Sequence, residues 1–151
     1  VLSAKKLKRA EKVMSESTSV NGVVGVVCRG EHVLVIRRAE GVAAPGRYCF
    51  PGGGRAPHET EQEALIREFR EELGILVLPK RRLWESVTPW GVRLAWWSAE
   101  IVGSPTLRPN PAEVAAVAWL TWGELAELNG LLASNRQFLA ALRSGSITLV
   151  D

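Results

Sequence analysis

Between Gly52 and Ile75 a glycine triplet runs directly into a charged amphipathic segment, and this junction limits the architecture more than any other stretch. Leu65, Phe69 and Leu73 recur at i, i+4 and i+8, which sets them on one stripe of a helix. Glu68, Glu71 and Glu72 fall at i, i+3 and i+4, so three carboxylates share another face. The charged run from Glu59 to Leu73 therefore reads as a helix, with Gly74 as its C-terminal stop. A helix apolar on one side needs a sheet or a second helix beneath it. Gly52-Gly53-Gly54 lets the backbone approach closely whatever the polar side holds.

The remaining chain supplies the sheet. A Val-rich run from Asn21 to Cys28 and another from Val33 to Ile36, with Arg29-Gly30-Glu31-His32 between them, predict a β-hairpin. Tyr48-Cys49-Phe50 reads as a short strand stopped by Pro51, after a loop over Gly41–Gly46. Ile75 to Val87 and Gly91 to Val102 read as strands around a turn at Pro89, and Glu113 to Leu120 as one more. Thr121 with Glu124 predicts a capping box for a short helix, and Asn135–Leu142 a last helix. Strands and helices mix without strict βαβ alternation, which favours an α/β (α+β) sandwich with a mixed sheet over a doubly wound parallel fold.

Three carboxylates on one helical face repel one another and raise each other's pKa unless a cation sits among them. Hard oxygen donors on adjacent turns suit Mg²⁺ or Mn²⁺, which keep several waters and take phosphate oxygens as further ligands. An ordinary Glu/Arg-rich helix would instead be a solvated face with ion pairs such as Glu63–Arg67. The full spacing decides between the two. It runs Gly53, five residues, Glu59, seven residues, Arg67-Glu68-Phe69, one residue, Glu71-Glu72, one residue, Gly74-Ile75. A chance match to all of these positions has a probability on the order of 10⁻¹⁰ per starting point.

This segment resembles the Nudix hydrolase signature. The resemblance implies an α/β/α sandwich whose signature forms a loop–helix–loop, and hydrolysis of a nucleoside diphosphate linked to another group. Carried over by position, it implies that Glu68, Glu71 and Glu72 ligate Mg²⁺ or Mn²⁺ with the carbonyl of Gly53 or its neighbour Gly52. Glu59 and Arg67 then hold the loop to the helix. Glu68, Glu71 and Glu113 are the candidate catalytic carboxylates. Glu113 stands six positions before Trp119 and ahead of Glu124-Leu125, which is similar to the family's downstream pattern, and Glu100 is a weaker rival. Ala56 and His58 depart from residues common in the family, Glu and Gly, and an imidazole disfavours positive φ there.

Outside the signature the chain is most similar to the MutT-type branch, which cleaves nucleoside triphosphates to monophosphate and pyrophosphate. Ile36-Arg37-Arg38-Ala39 and Phe50-Pro51-Gly52-Gly53 carry that likeness. They make Arg38 a candidate phosphate ligand through its fork of donors. Asn135 reads either as a reader of a purine edge, such as that of an oxidised guanine, or as the N-cap of the last helix. Of the six tryptophans, most are expected in the core; Trp96 and Trp97 point to opposite faces of one strand, and either of these or Trp90 is available to stack on a base. Other readings keep the fold and change the role. One is cleavage of a sugar nucleotide, dinucleotide polyphosphate or dinucleotide cofactor; the other is a non-catalytic nucleotide-binding module.

Composition sets the remaining bounds. A chain of 151 residues, 46% hydrophobic and 23% charged, buries roughly 68% of its surface and needs no staples. Two cysteines, Cys28 and Cys49, do not make a disulfide framework or a zinc site. No apolar run approaches a membrane span, and no apolar core follows the basic residues as in a signal peptide. A cytoplasmic protein without a membrane partner is the expectation. Residues 1–14 carry a net +4 and the rest is nearly neutral, so a basic N-terminal extension over 1–19 precedes a domain over 20–151. Met14-Ser15-Glu16 is a candidate natural start. A terminal patch is not the spread basic surface of a nucleic-acid binder, so no stable nucleic-acid partner is expected; the resemblance implies a small-molecule nucleotide as the partner.

Overall fold

The computed structural model describes residues 20–149, and the expected extension over 1–19 lies outside them. One sheet contains β1 (Gly22–Val26), β5 (Gly52–Gly54), β6 (Val77–Val87) and β7 (Arg93–Ile101) in the order β5-β1-β7-β6. β1 runs antiparallel to β5 and parallel to β7, while β6 and β7 are antiparallel, so the sheet is mixed as expected. The other sheet is built on β3 (His32–Arg38). Along one edge of β3 lie β2 (Cys28–Arg29) and then β4 (Tyr48–Cys49); β8 (Val114–Thr121) runs antiparallel along the other.

The expected hairpin is only partly formed. Cys28 and Arg29 pair with Val33 and His32 around Gly30, whose φ of 60° suits the tight turn. Gly22–Val26, however, leaves for the first sheet. All five residues of β1 are buried, the mark of a strand covered on both faces. A hairpin arm with one wet face would alternate.

Helix α1 (Glu61–Leu73) starts two residues later than the charge pattern suggested, because Thr60 caps it. The Thr60 hydroxyl accepts from Glu63 N–H and the Glu63 carboxylate accepts from Thr60 N–H, both at 3.1 Å. Glu63 is thus a cap partner and does not form the Glu63–Arg67 pair of an ordinary solvated helix. Gly74 ends the helix at φ 64°, and its N–H donates to Arg70. Helix α2 (Trp122–Ala126) has the expected Thr121–Glu124 box. Helix α3 (Ala133–Arg143) begins before Asn135, with Leu132 at the cap position and no side-chain cap.

Alternation along β1 and β3 divides the interior into two cores. Val23, Val27, Leu34 and Ile36 pack with Leu65, Phe69 and Leu73 of α1. Val24, Val26, Val33 and Val35 pack with Leu125 of α2 and Phe138 and Leu139 of α3. The result is the three-layer sandwich expected from the sequence. Gly25 is required on the α1 side: a Cβ there would stand 2.4 Å from the Phe69 ring. Trp96 is fully buried, stacked on Phe138 at 4.7 Å, with Nε1 donating to Ser86. Trp97 faces the opposite core and donates to Glu61, so the adjacent pair splits as the strand period requires. Trp84 and Trp122 join the α3 core at its margin, and Trp119 lies under Arg29.

Candidate active site

The side-chain-free strand β5 forms a wall with a hollow on each side. One hollow, of about 230 Å³, is lined by Ile36, Arg38, Val42, Glu68, Glu72, Glu113 and Gly52–Gly54. The other, also about 230 Å³, shares Arg38 and Gly52–Gly54 and continues to Phe50, Leu94, Trp90, Ser134 and Asn135. An acidic end and an apolar, amide-lined end therefore meet at one arginine and three glycines. Larger hollows exist, but one lies on the far side of the sheets around Cys28, Lys80 and Glu100, and the other on the outer face of α1. Neither gathers buried carboxylates.

The acidic end is strained electrostatically. Glu72 is only 5% exposed. Burial, then the charges of Glu68 and Glu113, push its carboxyl up to about 9, opposed by the Gly52 N–H that donates to it at 3.2 Å. Burial also raises Glu68, with Arg67 pulling the other way from 3.0 Å. Oε2 of Glu113 is buried with no hydrogen-bond partner among the described residues. A Cβ on Gly53 would come within 2.4 Å of the Glu68 carboxylate, so the glycine leaves room for that carboxylate against the strand.

These features fit a divalent cation: hard oxygen donors, a buried lone pair with nothing to bind, and like charges that a cation would relieve. Among the described residues no three carboxylate, histidine or cysteine side chains converge into a finished cage. The reason is visible in their partners. Glu68 is turned towards Arg67 and Glu72 towards Gly52 N–H.

Glu71 is not brought to this end. Its side chain is 47% exposed, pairs with Arg67 at 3.2 Å and lines the outer hollow of α1. Glu59 and Arg67 form the brace that joins loop to helix: Nε and Nη2 of Arg67 donate to the two Glu59 oxygens at 2.7 and 2.8 Å. Nη2 also reaches the Gly54 carbonyl at 2.8 Å. The Arg67 hydrogen bond, and then the Ala56 N–H, hold Glu59 down to about 2. Glu59 is covered by Arg67 and the loop rather than sunk in the core. Glu100, the weaker rival for a catalytic role, is exposed beside Lys80 on the far edge and takes no part.

Arg38 stands between the two ends, where Nε donates to the Ala43 carbonyl at 2.6 Å and Nη1 approaches Cys49 Sγ at 3.8 Å. Burial pushes the Cys49 thiol up to about 11, so it stays protonated and is no nucleophile. Asn135 is 3% exposed, and the structure rules out its N-cap reading because it lies inside α3. Its Oδ1 accepts from the backbone N–H of Phe50 at 2.9 Å, and its Nδ2 donates to Ser134 at 3.1 Å. The sequence reading missed Val42, Cys49 and the Gly52 N–H. None has a local signal, since each matters only through a partner distant in the chain.

Comparison with known proteins identifies the family and the fold. The NUDIX domain profile matches residues 19–142. A Mycobacterium tuberculosis protein provisionally named 8-oxo-dGTP diphosphatase 2 is 32% identical over 124 residues, covering 80% of this chain and 85% of that one. Nucleoside triphosphatase NudI of Enterobacter sp. strain 638 is 39% identical over 64 residues, 42% of each chain. The MutT protein from Methanosarcina mazei Go1 shares the fold with a TM-score of 0.69 at 19% identity, over 84% of this chain and 94% of that one. With the signature, the sandwich and the family profile all in one domain, the chain belongs to the Nudix family and is a Nudix pyrophosphohydrolase.

Proposed function

We propose that the protein hydrolyses a nucleoside triphosphate to the monophosphate and pyrophosphate with Mg²⁺ or Mn²⁺, and that oxidised purine nucleotides are among its substrates. The observation that carries this reading is the pair of hollows sharing Arg38 and Gly52–Gly54. A nucleotide has an anionic end and a flat, apolar-faced, polar-edged end, and the cleft has one side suited to each. The name of the Mycobacterium tuberculosis relative supports the oxidised-purine class.

Glu68 and Glu72 would hold the cation with the Gly53 carbonyl, joined by Glu71 once it gives up Arg67. Divalent cations bound there would neutralise phosphate charge and acidify a water for attack at phosphorus. Among the described residues Arg38 is the one cationic side chain common to both hollows, and its fork suits a phosphate oxygen. Water adds to phosphorus while the bridging P–O bond between the α and β phosphates breaks; a carboxylate takes the proton. Glu113 is favoured as that acceptor, because Glu68 is committed to Arg67 whereas Glu113 Oε2 has no partner. Nothing in the geometry favours Glu71 as the base.

The test is a panel of 8-oxo-dGTP, dGTP, dATP, dCTP, a sugar nucleotide and a dinucleotide polyphosphate, assayed with Mg²⁺, Mn²⁺ or chelator. Pyrophosphate release, greatest with 8-oxo-dGTP and abolished by chelator, is the expected result. Turnover confined to the sugar nucleotide or dinucleotide would replace the triphosphate reading.

A further inference from the structure

We infer that Trp90 is a nucleobase-binding residue that stacks on the base at the mouth of the cleft. The inference rests on the nucleotide reading above and adds to it a residue outside the signature and outside α3.

Trp90 is 67% exposed, the most exposed of the large hydrophobic side chains among the described residues. The other five tryptophans are accounted for: Trp96 is in the core, Trp97 faces α1, Trp84 and Trp122 touch the α3 aromatics, and Trp119 lies under Arg29. Trp90 makes no ring contact among the described residues, yet it lines the same hollow as Phe50, Leu94, Ser134 and Asn135.

The turn that carries it is fixed. Thr88 N–H donates to the Val92 carbonyl at 2.8 Å, Gly91 N–H to the Thr88 carbonyl at 2.9 Å, and Val92 N–H to the Thr88 hydroxyl at 2.9 Å. Gly91 at φ 86° closes it. A costly exposed indole is thus held on a rigid support beside a hollow whose inner end offers amide and hydroxyl groups. A nucleobase has apolar faces and polar edges. With its edge at Asn135 and Ser134, one face is left to be covered from the side of the turn. A planar indole covers it without regard to which base is present, and any base has such a face. Trp90 therefore sets affinity for a base as such, while the amide end chooses among bases.

The test compares wild type, Trp90→Ala and Trp90→Phe by steady-state kinetics on 8-oxo-dGTP, with inorganic tripolyphosphate as a base-free competitive inhibitor. Trp90→Ala is expected to raise KM for the nucleotide about tenfold or more, with kcat changed less than about threefold. The Ki of tripolyphosphate and the melting temperature stay put, and Trp90→Phe recovers most of the lost affinity. An unchanged KM overturns the inference. So does a parallel rise in KM and Ki, which would place the effect on the phosphate end, or a fall in melting temperature that accounts for the KM change. Wild-type protein that neither binds nor cleaves any nucleoside triphosphate would overturn the underlying reading, an outcome visible before any variant is made.

Discussion

The backbone N–H of Phe50 donates to Oδ1 of Asn135 at 2.9 Å, joining positions 85 residues apart in the chain. The bond fixes which way the amide points, so Nδ2 keeps one hydrogen beyond the one given to Ser134. Asn135→Ala removes the acceptor and leaves a buried N–H unpaired, a loss of about 1–3 kcal/mol in stability. If Asn135 also reads the base, the kcat/KM ratio of 8-oxo-dGTP to dGTP changes in the same variant. Melting and kinetics together check both; a lowered melting temperature with an unchanged ratio would remove Asn135 from base recognition.

The buried carboxyl of Glu72 gives a pH dependence of definite sign. Its folded pKa, about 9, lies above the ordinary 4.5, so its contribution to stability is full below pH 4.5 and is lost as pH rises through about 9. In chelator, Glu72→Gln should flatten the stability profile between those limits and exceed wild type at alkaline pH by more than about 1 kcal/mol. The amide still accepts from Gly52. Activity should fall by orders of magnitude, because a ligand charge is gone. Denaturant unfolding at several pH values, with turnover at limiting Mg²⁺, tests this; near-normal turnover would remove Glu72 from the metal site.

Glu59 has the opposite sign. Held at about 2, it supports the fold above pH 4.5, and that support is lost as pH falls through about 2. Glu59→Gln should therefore lose stability at neutral pH and unfold in acid with a shallower slope, as followed by circular dichroism. Arg67→Lys cannot keep the two-pronged contact and should lower kcat at least tenfold with the fold retained.

Three glycines should separate stability from catalysis. Gly25→Ala drives a methyl into the Phe69 ring and Gly52→Ala into the Val23 carbonyl, so both are expected to cost about 1–3 kcal/mol or more. Gly53→Ala meets the Glu68 carboxylate first, the far end of a flexible side chain rather than backbone. It should melt near wild type and lose most of its activity. Equal melting losses in all three would show that the Glu68 cradle is structural.

The signature helix was legible because its apolar stripe, its carboxylates and the Gly74 stop are all local, although the equally local Thr60 cap went unread and the start was set at Glu59. Thr60 and Gly74 sit next to the residues they satisfy, and Thr121 with Glu124 is a three-residue relationship. Sheet membership was less legible. Gly22 pairs with both Gly54 and Leu94, partners that periodicity cannot name, and β1 therefore looked like a hairpin arm. Asn135 misled in another way. A good capping residue near a helix start was weighed as a cap, but Leu132 takes that position and frees the amide for Phe50. The family pattern implies Glu68, Glu71 and Glu72 as one ligand set, whereas one hollow gathers Glu68, Glu72 and Glu113 and Glu71 turns away to Arg67, a difference set by side-chain partners that spacing cannot name.

The wall between the two hollows is one backbone thick, and the elements behind each side differ. The acidic side draws on α1, β3 and the residue before β8, whereas the amide-lined side draws on β1, the β6–β7 turn and α3. Substitutions at Trp90, Leu94 or Ser134 can accumulate without altering a carboxylate or the brace at Arg67. A lineage built on this plan is free to drift from one nucleotide to another while inheriting its reaction intact. Paralogues should therefore differ first around residues 88–94 and 132–135, and last between Gly52 and Gly74.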